Sequence, residues 1–124
     1  MPWNLDNDRP IYLQLMERIQ RSIISGEYRP GDRLPSVRDL AVEAAVNPNT
    51  MQKALSELER SGIVYSLRTS GRYITEDVDL LEKLKEDQAY SHIKEFMEKM
   101  RQLGFSDEVT LSLTQKIIKE DSKS

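Results

Sequence analysis

The sequence has no cysteine and one histidine, His92, among its 124 residues. Without cysteine, the chain cannot form a disulfide scaffold, a thiol nucleophile or a cysteine-ligated zinc finger. One histidine is too few for a histidine metal site, and nothing marks a Ser-His-Asp triad around it, so we interpret His92 as a solvated helix residue. These absences favour a protein that is not an enzyme and uses no metal or other cofactor.

Long hydrophobic runs are also missing. No apolar stretch approaches the roughly 18 residues that a membrane helix needs, and the first residues lack the basic and apolar segments of a secretion signal. Charged residues make up 31% of the chain and hydrophobic ones 38%. A chain of this length buries enough surface to fold without disulfides. We therefore expect a globular, cytoplasmic protein with no membrane partner.

The charge changes character along the chain. Residues 1–75 carry ten basic side chains, nine of them arginine, against nine acidic ones, whereas residues 76–124 carry eight basic side chains, seven of them lysine, against twelve acidic ones. Arginine suits phosphate and base edges, and lysine is the usual solvating charge on helices. The pattern fits either two differently solvated surfaces or an N-terminal module for an anionic partner.

Three helices are predicted before residue 62. Apolar residues at helical spacing indicate the first helix, over residues 10–26. Ser36 resembles the N-cap of a second, short helix, with Asp39 as its capping-box partner. Asn47 resembles the N-cap of a third helix that runs to Ser61, with Pro48 in the first-turn position that proline favours.

The third helix has two faces. Its apolar stripe contains Met51, Ala54, Leu55 and Leu58, and this face is expected to pack against the core. The roughly opposite side carries polar residues at the same spacing, namely Asn49, Gln52, Lys53 and Ser56. The helix therefore offers neutral hydrogen-bonding groups and one cation to a partner or to solvent.

A β-hairpin is predicted after the third helix. Residues 63–65 and 72–75 are β-rich, and the polar turn between them carries an arginine on each side, Arg68 and Arg72. Helices followed by such a hairpin are typical of a winged helix-turn-helix. The fold class is therefore predicted to be mainly α with a small β-hairpin wing, followed by a helical tail.

These side chains have the chemistry to read DNA. Asparagine and glutamine pair bidentately with adenine in the major groove, and a helix N-terminus meets phosphate. Arg38 is placed to hold the DNA backbone, although it could instead form a surface ion pair with Glu43. The polar face of the third helix could likewise be an ordinary solvated surface, and the two wing arginines could be solvated hairpin charges.

Two stretches resemble the GntR family of bacterial transcription regulators. The segment Pro30-Gly31-Asp32-Arg33-Leu34-Pro35-Ser36-Val37-Arg38-Asp39-Leu40-Ala41 resembles the entrance to its DNA-binding domain, and Val46-Asn47-Pro48-Asn49-Thr50-Met51-Gln52-Lys53-Ala54-Leu55 resembles its recognition helix. The Gly62-Ile63-Val64 and Ser70-Gly71 segments are similar to its wing. The Asn-Pro-Asn-Thr stretch and short tail are similar to the YtrA-like subfamily.

This resemblance implies a homodimer that binds an inverted-repeat operator in double-stranded DNA, usually to repress transcription. Pro48 stands where many family members carry a base-reading arginine, so readout is expected to rely more on amides. The wing has Thr69 and Ser70 where relatives often have a second glycine and a different polar residue. The predicted DNA-binding residues are Ser36, Arg38, Asn47, Pro48, Asn49, Thr50, Gln52, Lys53, Arg68, Ser70, Gly71 and Arg72.

The predicted domain organisation is a DNA-binding domain over residues 1–75 and a helical dimerisation tail over residues 76–124. The tail is too short for the effector domain of larger family members, and no effector is identified. Its first helix, either continuous or broken near Asp87-Gln88, has two apolar stripes, and the second stripe is expected to pack against the last helix.

The last helix is apolar on both sides, which calls for a second partner surface. We expect a two-fold dimer, with a closed monomeric mini-bundle as the alternative. The predicted interface residues are Ile93, Phe96, Met97, Met100, Leu111, Leu113, Ile117 and Ile118. For the chain as a whole, the alternative function is a winged-helix protein-interaction module without DNA affinity.

Overall fold

A computed structural model describes residues 3–123 of the chain. The elements are, in order, α1 (Ile11–Ile24), α2 (Val37–Ala44), α3 (Pro48–Arg60), β1 (Val64–Leu67), β2 (Gly71–Ile74), α4 (Val78–Gln102) and α5 (Asp107–Ser122). The prediction of a mainly helical fold with a two-stranded hairpin is confirmed. Within these residues, no helix is long and apolar enough to cross a membrane.

The predicted helix caps are present before α2 and α3. The Ser36 hydroxyl accepts a hydrogen bond from the backbone amide of Asp39 at 3.1 Å. The side-chain oxygen of Asn47, Oδ1, accepts one from the backbone amide of Asn49 at 2.7 Å. Pro48 is the first residue of α3, where its missing N–H costs nothing. The two caps fix where α2 and α3 begin.

The core lies where α1, α2 and α3 meet the hairpin. The apolar stripe of α3 is buried as predicted, and it packs with apolar residues of α1 and α2. The largest fully buried side chains are those of Leu15, Ile19, Leu40, Met51, Leu55, Leu58, Val64 and Ile74. Burial of one face of α3 determines which side chains the opposite face presents.

The hairpin extends further toward its tip than the sequence indicated. Val64 pairs with Ile74, and the ladder continues to Leu67 opposite Gly71, so the turn has only three residues. The amide of Ser70 closes this turn on the Leu67 carbonyl at 3.2 Å, and Gly71 has a φ of 114°. The predicted strand positions were wrong by one or two residues because this glycine conformation lets β2 begin directly after the turn.

A third segment adds to the sheet. Residue Arg33 forms an isolated antiparallel bridge with Tyr73. The amide of Leu34 donates to the Arg72 carbonyl and the amide of Ile74 donates to the Asp32 carbonyl, both at 2.8 Å. The segment that precedes α2 is therefore fixed to the outer edge of β2.

The chain forms two compact units that divide between Lys83 and Leu84. In the first unit, Leu80 packs 3.5 Å from the position that a Cβ on Gly62 would occupy. Helix α4 is unbroken from Val78 to Gln102, so the break considered near residues 87 and 88 does not occur. No Gly or Pro interrupts this stretch, and the change of apolar face alone does not end a helix.

In the second unit, α4 ends in a well-formed turn. The Phe105 amide donates to the Met100 carbonyl at 3.1 Å, and Gly104 has a φ of 93°. The Arg101 guanidinium makes two 3.0 Å hydrogen bonds to the Asp107 carboxylate. This hydrogen bonding lowers the pKa of Asp107 from its ordinary value and fixes the start of α5.

The second unit does not form a closed bundle. The expectation that the second apolar stripe of α4 packs against α5 was wrong: within the described residues, Thr110 is the only buried residue of these two helices. Apolar side chains at Ile93, Leu111, Ile117 and Ile118 are each more than half exposed. These exposed side chains leave apolar surface on both helices that other residues of the described structure do not bury.

Candidate nucleic-acid interface

The outer face of α3 presents unobstructed amide side chains. Asn49 and Gln52 are both exposed, on the side opposite to the buried Met51 and Leu55. The Gln52 amide nitrogen lies 3.4 Å from the Ser56 hydroxyl, one turn further along. This hydrogen bond is long and exposed, and therefore weak. It can orient the Gln52 amide, and the amide can leave it to bond to a ligand.

The two capping residues keep donors available for a ligand. Asn47 uses its carbonyl oxygen in the cap, so its amide NH₂ can still donate, and the Ser36 hydroxyl proton is free to donate for the same reason. Thr50 lies half-buried in the first turn of α3. The helix N-terminus and its neighbouring donors form a surface that favours anions.

Lys53 has an intramolecular partner that the sequence did not reveal. Its ammonium lies 4.0 Å from the centroid of the Tyr12 ring, in the geometry of a cation–π contact. Tyr12 lies in the first turn of α1, and its half-buried ring lies at the α1–α3 junction. The contact directs the Lys53 side chain back toward α1.

Arg38 lies exposed on α2. It makes no ion pair with any residue that the structure describes, and the alternative pairing with Glu43 is not formed. An arginine without an internal partner keeps all of its donors for a phosphate or base edge.

The wing carries one of its two predicted arginines at the tip. Arg68 is exposed in the three-residue turn, next to Thr69 and the half-buried Ser70. Like Arg38, it has no ion-pair partner among residues 3–123. The tip is therefore small, polar and positively charged.

Arg72, the second predicted wing arginine, is turned inward. Its Nε donates to the Glu59 carboxylate at 3.2 Å, its side chain is only 19% exposed, and the Ser66 hydroxyl donates to the same carboxylate. Arg72 lies in β2 and not in the turn, and its position there directs its Nε toward Glu59 of α3, while its predicted DNA contact stays a prediction. Arg72 attaches the hairpin to α3 and neutralises an acidic residue.

The other acidic residue of α3 is also paired. Glu57 lies 3.6 Å from the Arg60 guanidinium, at the far end of the helix. The negative charges in the second half of α3 are thus offset, while its first half holds the amides. Across the described residues, no three acidic or histidine side chains form a group that could hold a metal ion.

Residues 11–74 match the model of the family described as "Bacterial regulatory proteins, gntR family". The regulator YhcF of Bacillus subtilis is 39% identical over 105 residues, which are 85% of this chain and 87% of that protein. The transcriptional repressor YtrA of the same organism is 48% identical over 68 residues, which are 55% of this chain and 52% of YtrA.

Solved structures agree with these matches. A GntR family transcriptional regulator from Listeria monocytogenes superposes with a TM-score of 0.82 and 39% identity, covering 90% of this chain and 98% of that one. The DNA-binding domain of AraR, solved in complex with its operator ORX1, superposes with a TM-score of 0.52 and 26% identity, covering 60% of this chain and 92% of that one.

Proposed function

Because this chain belongs to the GntR family of bacterial regulatory proteins, we propose that it is a sequence-specific DNA-binding regulator of transcription. It binds an inverted-repeat operator as a homodimer and represses the genes beside it, in the cytoplasm. The observation that carries the proposal is the exposed amide face at the start of α3, together with an exposed arginine on α2 that forms no ion pair among residues 3–123. Its relatives include a transcriptional repressor and an operator-binding domain, which supports the same function.

In this proposal, α3 enters the major groove. Asn47, Asn49 and Gln52 read base edges, since amides both donate and accept as adenine requires. Thr50 and Ser36 donate to phosphates near the helix N-termini. Pro48 begins α3 and has no side-chain donor, so it lies against the duplex without a hydrogen bond of its own. Lys53, held by Tyr12, remains close enough to the same face to reach a phosphate.

The remaining contacts come from α2 and the wing. Arg38 holds the DNA backbone, and Arg68 with the Ser70-Gly71 tip lies at the minor groove. Since the Nε of Arg72 pairs with Glu59, we assign Arg72 chiefly to holding the wing against α3. The pairing of Glu57 and Glu59 with arginines reduces the repulsion that these carboxylates would exert on phosphates.

We assign DNA binding to residues 1–75 and dimerisation to residues 76–124. The apolar side chains of the tail support this assignment, because Ile93, Leu111, Ile117 and Ile118 are each more than half exposed in the described residues and a two-fold partner would bury them. The proposed interface comprises Ile93, Phe96, Met97, Met100, Leu111, Leu113, Ile117 and Ile118. Two copies of α3 would then face successive major grooves on one side of the duplex.

Footprinting on the DNA upstream of the protein's own gene tests the proposal. We expect one protected region containing two inverted half-sites whose centres are separated by about 10 base pairs or a multiple of it. Protection of no region, with unchanged mobility of the same fragment in a gel, would instead favour a winged helix used for protein contacts.

Replacing Gln52 with alanine should weaken binding mainly on the preferred site. Loss of a bidentate base contact costs about 1–3 kcal/mol, whereas binding to random duplex should change little. Fluorescence anisotropy on the footprinted site and on a scrambled duplex of equal length measures both. Equal losses on the two duplexes would remove Gln52 from the base-reading residues.

Replacing Arg38 with alanine should weaken binding to every duplex. Because a phosphate contact carries no sequence information, affinity for the specific and for the scrambled duplex should fall by the same factor. The slope of log affinity against log salt should become shallower by about 0.9, the contribution of one phosphate contact. Arg21→Ala, which removes the same side chain from an exposed position of α1 that forms no ion pair among the described residues, is the matched control. A loss confined to the specific duplex would show that Arg38 reads a base.

A further inference from the structure

We infer that Arg33, in the segment before α2, supplies the wing's second DNA-backbone contact in place of Arg72. This inference rests on the proposed function and adds a residue to the surface that would meet the duplex. Arg33 lies outside both the helix-turn-helix and the hairpin, but the structure fixes it to the hairpin's outer edge.

The sheet positions the Arg33 backbone firmly. Arg33 is paired with Tyr73, and the residues on either side of it exchange backbone hydrogen bonds of 2.8 Å with β2. Tyr73 in turn pairs with Tyr65, and their rings stack with centroids 5.8 Å apart. Since directly paired residues share a face of the sheet, Arg33 lies on the same side as these two tyrosines.

Arg72 lies on the opposite side. Successive residues of a strand point to opposite faces. Arg72, which precedes Tyr73 in β2, is therefore directed away from the tyrosine pair and toward Glu59. Arg72 and Arg33 therefore have different roles. Arg72 attaches the hairpin to α3, and Arg33 remains on the opposite, outer face.

The Arg33 side chain reaches the base of the wing tip. Its Nε lies 3.1 Å and its Nη2 3.4 Å from the position that a Cβ on Gly71 would occupy. The absence of a side chain at Gly71 thus leaves room for the guanidinium beside the turn that carries Arg68. Two arginines from separate segments converge on one small tip.

The guanidinium has no competing carboxylate within the described part of the chain. Arg33 is exposed and forms no ion pair there. The neighbouring Asp32 carboxylate accepts the backbone amide of Arg29 at 2.8 Å, and the Glu76 side chain lies over Gly31. An exposed, uncompensated guanidinium beside a second cation suits a strand of phosphates, which is the chemistry the minor-groove edge of DNA presents.

Salt titration of the full chain on a labelled duplex of arbitrary sequence tests this inference. Each phosphate contact contributes about −0.9 to the slope of log affinity against log salt, so Arg33→Ala should make the slope shallower by about 0.9. When salt is raised from about 50 to about 200 mM, the fold-loss of affinity should therefore be about 3.5 times greater for the wild-type chain than for Arg33→Ala. Arg33→Lys keeps the charge and should keep the wild-type slope.

Arg21→Ala, at an exposed arginine of α1 that forms no ion pair among the described residues, provides the matched control and should also keep the wild-type slope. Because Arg33 is exposed and its strand pairing uses only backbone groups, the alanine variant should keep its thermal midpoint, which circular dichroism checks. An unchanged slope for Arg33→Ala, or an equal change in Arg21→Ala, would overturn the inference and leave the proposed function standing. Failure of the wild-type chain to bind the duplex at low salt would overturn both.

Discussion

Replacing Leu113 with aspartate is expected to convert the dimer into a monomer and to abolish tight operator binding. Leu113 is partly exposed on α5, a helix on which the apolar side chains of Leu111, Ile117 and Ile118 are more than half exposed. Burying a carboxylate between two copies costs several kcal/mol, so the interface should not form. Loss of the second half-site contact should then lower operator affinity by about 10² or more.

Sedimentation velocity and anisotropy on the same samples measure both effects. Gln115→Asp, which adds the same charge to an already polar position of α5, is the control and should remain dimeric. Circular dichroism should show the first unit still folded, because its core contains no residue of α5. A dimer that persists in Leu113→Asp would move the interface away from α5.

Replacing Asn47 with aspartate should separate the two roles of this residue. Aspartate caps a helix as well as asparagine does and suits the positive end of the helix dipole, so the free energy of unfolding should be unchanged. The same carboxylate would face phosphates and base acceptors that the asparagine NH₂ is proposed to contact. Juxtaposed like charges cost several kcal/mol, so a loss of about 3 kcal/mol, or about 100-fold in affinity, is expected.

Urea unfolding and DNA titration on one preparation distinguish these effects. Asn47→Ser keeps a capping oxygen without adding charge and should bind DNA more tightly than Asn47→Asp at the same stability. If Asn47→Asp bound duplex as well as the wild-type chain, the start of α3 would not face DNA in the complex.

The parts of the fold that depend on local chemistry were predictable from the sequence. Ser36 and Asn47 have side chains that cap helices, and the spacing of Met51, Leu55 and Leu58 identifies the buried face of α3. Each of these signals lies within one or two helical turns. The sequence therefore indicated where α3 begins and which of its side chains face outward.

The partners of individual charged side chains were not predictable. Arg72 pairs with Glu59 thirteen residues away, and Lys53 with Tyr12 on another helix. Both contacts depend on how the hairpin and α1 pack against α3, which periodicity does not encode. The same is true of Arg33, whose position at the wing follows from strand pairing between distant segments.

The path of the tail was also beyond the sequence. Apolar stripes on α4 and α5 indicated that both helices need partners, but they could not distinguish a helix folded back on its neighbour from one left for a second copy. The turn at Gly104 and the Arg101–Asp107 hydrogen bonds fix the local geometry where α4 ends and α5 begins. The sequence of this turn alone does not show whether α5 packs against α4 or is left for a second copy.

Nuclear magnetic resonance mapping of the bound surface tests the central claim most directly. A duplex of about 20 base pairs is added to the labelled full chain at about 50 mM salt, where backbone contacts are strong. The account predicts that amide shifts concentrate at the start of α3, around Asn47 to Gln52, at Arg38 and at the wing tip. Shifts confined to α4 and α5, or no shifts at all, would contradict it.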